Sequence, residues 1–301
     1  MPILKKIQKA LEPRIGKLHH HPPRKIRDLS YSSDETTTIS WPLISVVTPS
    51  YNQGEFVQKT IESVLSQQYQ NFEYIVQDGN STDDTVGKLK KNSDVRLQWR
   101  CENDLGQGNA LNLAFSRTTG EIMTWLNSDD LVLPGAYNFV ARFFMANPEI
   151  DVLYGNRILI NEQGDEIGCW ILPKHQNELL SWADFVPQET LYWRRGIWDA
   201  VGAKIDESYQ FALDWDLLLR FREAGANIVH VDRLLGAFRV HSRQKTSAHM
   251  NSIGNIEIEK LRKKHLGFLP SKHQVRRALA AYFIKHRIKH FVFEEMKLVK
   301  N

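Results

Sequence analysis

Short runs of branched and aromatic residues alternate with longer stretches of helical spacing through the first half of this chain. Residues 43–48, 72–77, 95–101 and 121–126 are brief, apolar and bounded by polar turns, which predicts strands. Between them, 54–68, 82–91 and 106–117 place apolar residues three and four apart, as does 134–146 after the last strand, and these predict helices. Strands alternating with helices make βαβ units, so the expected class is α/β with a mainly parallel sheet flanked by helices. After Ile150 the rhythm changes. Residues 150–170 predict a β excursion that turns at Glu162-Gln163-Gly164-Asp165, and a Trp-rich segment then leads to a helix over 213–223. Strands are expected near 227–231 and 235–240, and from about Asn251 the chain reads as helical and basic to its end.

Ahead of this lies a short amphipathic helix candidate, Ile3 to Leu18, and His19-His20-His21 before Pro22-Pro23, which reads as linker rather than as a metal site. The expected organisation is a basic extension over 1–40, one α/β domain over 41–249 and a basic helical extension over 250–301.

Charge changes the picture more than composition does. The 42% hydrophobic and 25% charged content is that of an ordinary soluble globular chain. No run approaches the roughly 18 apolar residues of a membrane span. No apolar leader core is evident either, so a cytoplasmic protein is expected, with Cys101 and Cys169 as free thiols. The net charge of +4 is unevenly spread: residues 1–28 carry eight Lys/Arg against two acids, and 260–301 carry twelve against two. The body between them is acidic. Basic ends of this kind predict peripheral attachment to an anionic membrane surface at the inner face of the plasma membrane. Nucleic acid is not an expected partner, since no recognised binding motif accompanies the charge.

Candidate chemistry gathers where the predicted strands end. Asp129 and Asp130 follow the run ending at Leu126, at the carboxyl edge where open α/β sheets bind ligands. Hard oxygen donors there suit Mg²⁺ or Mn²⁺ bridging to phosphate; helix capping is the structural alternative. Asp78 ends the second strand, placed to accept a hydrogen bond from a base or ribose, and Ser81 or Thr82 is set to cap the next helix. Glu102 to Ala110 forms a third polar loop after a strand. The first strand's TPSYNQG lacks both the dinucleotide glycine spacing and the GxxxxGK[ST] phosphate loop, and it has no Lys or Arg for a triphosphate. That absence counts against a sugar nucleotidyltransferase, and the presence of the acids counts against an inactive carbohydrate-binding scaffold. Asp214 and Asp216 open an apolar helix, where they complement its N-terminal charge; Asp214 is the better catalytic candidate and Asp216 is spaced to pair with Arg220. His241 follows the last strand beside Arg243 and Lys245, cations suited to a diphosphate.

Taken in order, TPSYNQGEFVQKTIESVLSQQ, DGNSTDDT, ENDLGQGNALN, WLNSDDLVLP, ETLYWRRGIWDAVG, LDWDLLLR and FRVHSRQKTS resemble family 2 glycosyltransferases of GT-A fold over about 43–247. Among these the chain is most similar to bacterial enzymes that build surface polysaccharides. The resemblance implies a nucleotide-diphospho-sugar donor, a divalent metal (Mn²⁺ or Mg²⁺), inversion at the anomeric carbon, and a glycan or lipid-linked acceptor. It implies nucleobase contacts at Thr48, Pro49 and Tyr51, a base or ribose contact at Asp78, and donor contacts at Asp104, Gln107 and Asn109. Asn127-Ser128-Asp129 stands at the family's Asp-x-Asp position, with Asp129 on the metal and Asp130 beside it. His241 matches the late metal or diphosphate ligand, with Arg243 nearby, and Asp214 matches the general base. Asn127 departs from the pattern by replacing the first Asp, and Leu213 by replacing the Glu before the base. Gln188 and Trp193 are the acceptor candidates from a segment whose aromatics are otherwise expected in the core.

Overall fold

The computed structural model describes residues 19–26, 41–242, 244 and 253–298. The helix expected over Ile3 to Leu18, and Arg243 and Lys245, lie outside the described residues.

Four strands form the parallel half that the alternation predicts: β2 (Ile44–Ser50), β3 (Phe72–Asp78), β4 (Leu97–Cys101) and β5 (Ile122–Trp125), in spatial order β4-β3-β2-β5. Their crossovers run through α1 (Val57–Leu65), α2 (Thr85–Lys91) and α3 (Gln107–Phe115). All four strands therefore end at one edge, and the loops after them converge there. Side-chain alternation sorts the core into two layers. Val47, Ile75, Met123 and Trp125 pack with α3, whereas Ile44, Val46, Tyr74 and Val76 pack with α1 and with α4 (Ala136–Ala146).

The second half of the sheet is mostly antiparallel, so the sheet as a whole is mixed. β7 (Val152–Ile160) turns through the short 161–165 connection into β8 (Glu166–Trp170), and a connection this short admits only an antiparallel return. β9 (Leu191–Arg194) runs antiparallel to both β5 and β7 and joins the two halves. The two strands expected at 227–231 and 235–240 are one, β10 (Ile228–Arg239), parallel to β7 with register shifts between His230 and Gly236. The polar Asp232-Arg233 that interrupts the sequence pattern marks this bulge. A two-residue strand, β6 (Leu131–Val132), pairs with β10 immediately after the acidic pair.

Two further features correct the sequence-based expectations. His19–Arg24 is not linker but strand β1, antiparallel to β8 at the end of the sheet, where Pro22 and Pro23 are tolerated because an edge strand can spare donors. Arg24 bonds Glu166 at 2.8 Å beneath it. Trp193, expected near an acceptor, is 0% exposed, with ring centroids 5.7 Å from Trp125 and 6.1 Å from Trp198. It is the joint between sheet halves. Trp193→Ala should cost about 3–5 kcal/mol, read as a lowered urea midpoint; an unchanged midpoint would return it to the surface.

Two helices complete the chain, α7 (Asn255–Leu266) and α8 (Lys272–Leu298). No helix among the described residues is long and apolar enough to cross a membrane. Cys101 and Cys169 are both free thiols, as expected.

Candidate active site

The loops after β2 and β3 are laced together before either reaches the edge. The backbone N–H groups of Asn52, Gln53 and Gly54 donate to Ser81, Thr85 and Asp83 across the gap at 2.8–3.0 Å. Asn52 and Asn80 sit at φ 51° and 65°, conformations Asn tolerates better than most residues. Asp78 is fully buried: its two oxygens accept the Ser81 N–H at 2.8 Å and the Ser81 hydroxyl at 2.6 Å. It anchors the loop from within. Thr48 and Pro49 are also buried, and the Thr48 hydroxyl meets that of Tyr74 at 3.0 Å, which ties β2 to β3. Tyr51, by contrast, stands exposed at the loop's outer face.

The third loop closes against the second. Asp104 accepts the Gly106 N–H at 2.8 Å, and its other carboxylate oxygen lies 2.6 Å from where a side chain on Gly79 would begin, so a larger residue there would displace the Asp104 carboxylate. Asn109 donates to Glu207 at 3.2 Å, tying α3 to the segment before the α6 helix (Leu213–Glu223). Gln107 donates to Asn127 at 2.9 Å; Asn127 donates to Gln188 at 3.1 Å; Gln188 donates to the Trp125 carbonyl at 2.8 Å. One amide chain thus links three loops. Asn127 works as a relay of hydrogen bonds, a job an aspartate could not do in both directions.

Asp129 and Asp130 diverge. The turn closed by the Asp130 N–H on the Asn127 carbonyl folds Asp130 inward, where its carboxyl accepts the Arg239 N–H at 2.9 Å. Burial, and secondarily the charge of Asp129, pushes the Asp130 carboxyl well above the usual carboxylate range. It acts as a strut for the turn. Thr60 of α1 holds the same turn, its hydroxyl lying 2.9 Å from the Ser128 carbonyl and 2.8 Å from that of Asp130. Asp129 faces out of the turn towards His241, whose Nε2 lies 2.9 Å from its Oδ2. Phe56 stacks on the imidazole at 4.7 Å, and Arg239, fully buried, bonds the Asp129 carbonyl at 2.7 Å.

An imidazole nitrogen and a carboxylate oxygen side by side suit Mn²⁺, which accepts both, better than Mg²⁺, which prefers oxygen. Among the described residues no group of three His, Cys, Asp or Glu could cage an ion, so a metal here would complete its shell from diphosphate oxygens and water. The pair fits a metal delivered with its nucleotide.

Asp214 lies in the first turn of α6. Its carboxyl accepts the Trp215 N–H at 2.9 Å, and Trp215 in turn donates to the Leu180 carbonyl at 2.7 Å. No side chain of α6 itself caps the helix. Glu257 from α7 does that work, accepting the N–H groups of Gln210, Phe211 and Ala212 at 2.8–2.9 Å. Helix α7 thereby fixes where Asp214 sits. Burial pushes the Asp214 carboxyl up to about 6; Glu189 adds to the rise, and Arg157 opposes it. Asp216 points away and pairs with Arg220 at 2.8 Å, as its spacing predicts.

Glu189, next to Gln188, is the residue sequence reasoning missed. It is buried beside Arg157 at 3.3 Å, and it is an electrostatic neighbour of Asp129, Asp130 and Asp214 alike. Burial holds its carboxyl above the usual range, against the pull of Arg157. Arg157 is itself sandwiched between Trp170 and Phe238 at 4.4 and 4.7 Å. Asp184, whose carboxyl burial and the charge of Asp214 push upward, extends the cluster. One signal was available: Gly236, inside a strand, comes so close to Glu189 that an added Cβ would lie 2.7 Å from its backbone oxygen.

The structure therefore brings Asp129, His241, Asn127, Gln188 and Asp214 to one sheet edge around Glu189, with Asp104, Gln107 and Asn109 on the adjoining loop. Residues 45–184 match the family model described as Glycosyl transferase family 2. The O-antigen biosynthesis protein RfbC of Myxococcus xanthus is 30% identical over 214 residues, which is 69% of this chain; the chain spans 16% of that protein's length. S. aureus TarS in complex with UDP-GlcNAc has a similar fold, with TM-score 0.61 and 20% identity over 81% of this chain and 72% of that one. So has the mannosyltransferase PcManGT from Pyrobaculum calidifontis in complex with GDP-Man and Mn²⁺, with TM-score 0.55 and 18% identity over 94% and 77% of the two chains. The family match over 45–184, on a fold similar to those of TarS and PcManGT, identifies that region as a glycosyltransferase family 2 region of GT-A fold.

Proposed function

We propose that this chain is a metal-dependent, inverting transferase that moves a sugar from a nucleotide-diphospho-sugar to a hydroxyl of a glycan or lipid-linked acceptor in polysaccharide biosynthesis. The observation that carries the reading is the shared electrostatic neighbourhood of Asp129 and Asp214 through Glu189. Solved proteins of this fold hold UDP-GlcNAc or GDP-Man, and the similar RfbC is named for O-antigen biosynthesis. Those names support the donor and product classes proposed here.

In this reading the diphosphate lies against Asp129 and His241, and the acceptor hydroxyl approaches from the side of Asp214. The hydroxyl oxygen forms the new bond to the anomeric carbon as the bond to the diphosphate oxygen breaks, and that oxygen leaves with the electron pair. Asp214 takes the hydroxyl proton, a role its raised pKa of about 6 suits near neutral pH. A divalent ion held by Asp129 and His241 would offset the charge growing on the diphosphate. Tyr51 lies at the nucleobase end, Asp104, Gln107 and Asn109 line the donor side, and Gln188 stands between donor and acceptor.

Hydrolysis of a panel of UDP-, GDP- and dTDP-sugars, with and without Mn²⁺, tests this. Release of a nucleoside diphosphate from one donor class, dependent on Mn²⁺, is expected. Release of pyrophosphate from a nucleoside triphosphate and a sugar phosphate would make the chain a nucleotidyltransferase instead.

A further inference from the structure

Helix α8 is apolar on two opposite sides. Its inner side, carrying Leu279, Tyr282, His286, His290 and Phe293, packs on the body of the protein; Tyr282 meets Phe185 with ring centroids 4.9 Å apart, and His286 meets Trp170 at 6.3 Å. The outer side carries Ile284, Ile288 and Phe291, which are 60%, 59% and 65% exposed, with Val292 at 46%. Spacings of four, three and one place these four residues on one stripe, turned away from the inner side by about half a revolution of the helix. Burying only the inner side is what a helix of a globular protein needs, so a second stripe of large apolar residues calls for a partner.

The flanks of the stripe say which. Arg276 and Arg287 border it on one side and Lys285 on the other, with Lys289 beyond it paired to Asp232 at 3.1 Å, and from Lys272 to Phe293 there is not one acidic residue. An apolar strip between two basic borders, on a helix about 40 Å long, is the arrangement that lies in the plane of a bilayer surface, with the strip among acyl chains and the cations among anionic headgroups. With six Lys/Arg between Lys272 and Phe293, this helix is not apolar enough to cross a membrane. A second copy of the chain is a poorer fit, because two such helices would bring like charges together along both borders.

We infer that the outer face of α8, through Ile284, Ile288, Phe291 and Val292 and their Lys/Arg borders, seats this protein on an anionic lipid surface. This narrows the attachment expected of the basic ends to one helix face, and it does not depend on the transferase reading, since docking requires no donor. On the same helix the inner side continues the packing that holds α7, whose Glu257 caps the helix of Asp214.

Vesicle co-sedimentation of the full chain tests it, using phosphatidylcholine alone and a mixture with phosphatidylglycerol at roughly three to one. Recovery on the mixed vesicles, and not on the neutral ones, is expected. Phe291→Asp should lower the partition coefficient more than tenfold with an unchanged melting temperature, because the side chain is exposed. Lys285→Gln should lower it about fivefold, the weight of one cation near anionic lipid. Equal recovery on both vesicle types overturns the inference. So does undiminished binding by both variants, which would assign the lipid contact to the other basic end. A lipid-free dimer in sedimentation velocity that Phe291→Asp dissociates overturns it in favour of a second copy. Donor hydrolysis by the same variants, measured without vesicles, should match the parent, so a failed docking test leaves the transferase reading standing.

Discussion

Asp214→Asn is expected to lower turnover by about 10²–10⁴ while leaving donor affinity as it is. The substitution keeps the shape of the side chain and its bond from the Trp215 N–H, but it removes the only thing a base contributes, a lone pair basic enough to accept the acceptor's proton. The pH profile supplies an independent check. A base works when deprotonated, so kcat/KM should rise with pH through about 6 and then level off, the rise reflecting the raised Asp214 carboxyl. In the Asn variant that limb should vanish. If instead the donor's Kd rises in step with the loss of turnover, Asp214 binds the sugar and does not act on the acceptor. Glu257 bears on the same point from a distance: it touches only backbone N–H groups before α6, so a change there would act through the position of Asp214.

The second large effect is expected at the other end of the site. Asp129→Ala should weaken nucleoside diphosphate binding in Mn²⁺ by at least the 10–100-fold that even outer-shell partners of a metal typically contribute. Its binding without metal should change far less. The reasoning rests on geometry: Asp129 is the carboxylate of the acidic pair that faces His241 at 2.9 Å, whereas Asp130 is turned into the protein to hold Arg239. Equal Mn²⁺-dependent affinity in parent and variant would remove Asp129 from the site.

Much of this was legible in the residues, for physical reasons that also explain what was not. Strands β2 to β5 and their helices announce themselves because a helical period separates each strand from the next, and parallel strands covered on both sides read as unbroken apolar runs. β6 and β9 are two and four residues long, too short for any period, and β1 hides behind two prolines that only an edge strand would accept. β10 read as two strands because its bulge carries Asp232-Arg233, and a bulge looks like a loop when only polarity is visible.

The site divides in the same way. Asp129, Asp214 and His241 stand at element ends, where position along the chain already implies position at an edge. Which of two adjacent acids turns inward depends on a tertiary contact, here the Arg239 N–H, and no local pattern could assign Asp130 to it. Asp78 ends a strand and so reads as an open acceptor, but that the Ser81 N–H and hydroxyl bond it is a contact only the folded loop shows. Glu189 and Arg157 are hidden in the sequence because a lone acid or a lone base in an otherwise apolar stretch usually faces water, and only the fold buries this pair together.

A crystal structure of the chain with Mn²⁺ and a non-hydrolysable analogue of its donor would most directly examine whether carboxylates distant in the sequence serve one reaction centre. The account predicts metal density touching the Asp129 carboxylate and the His241 imidazole, with the sugar's anomeric carbon turned towards Asp214. A nucleotide bound elsewhere, or a sugar with Asp214 on the same side as the diphosphate, would contradict it.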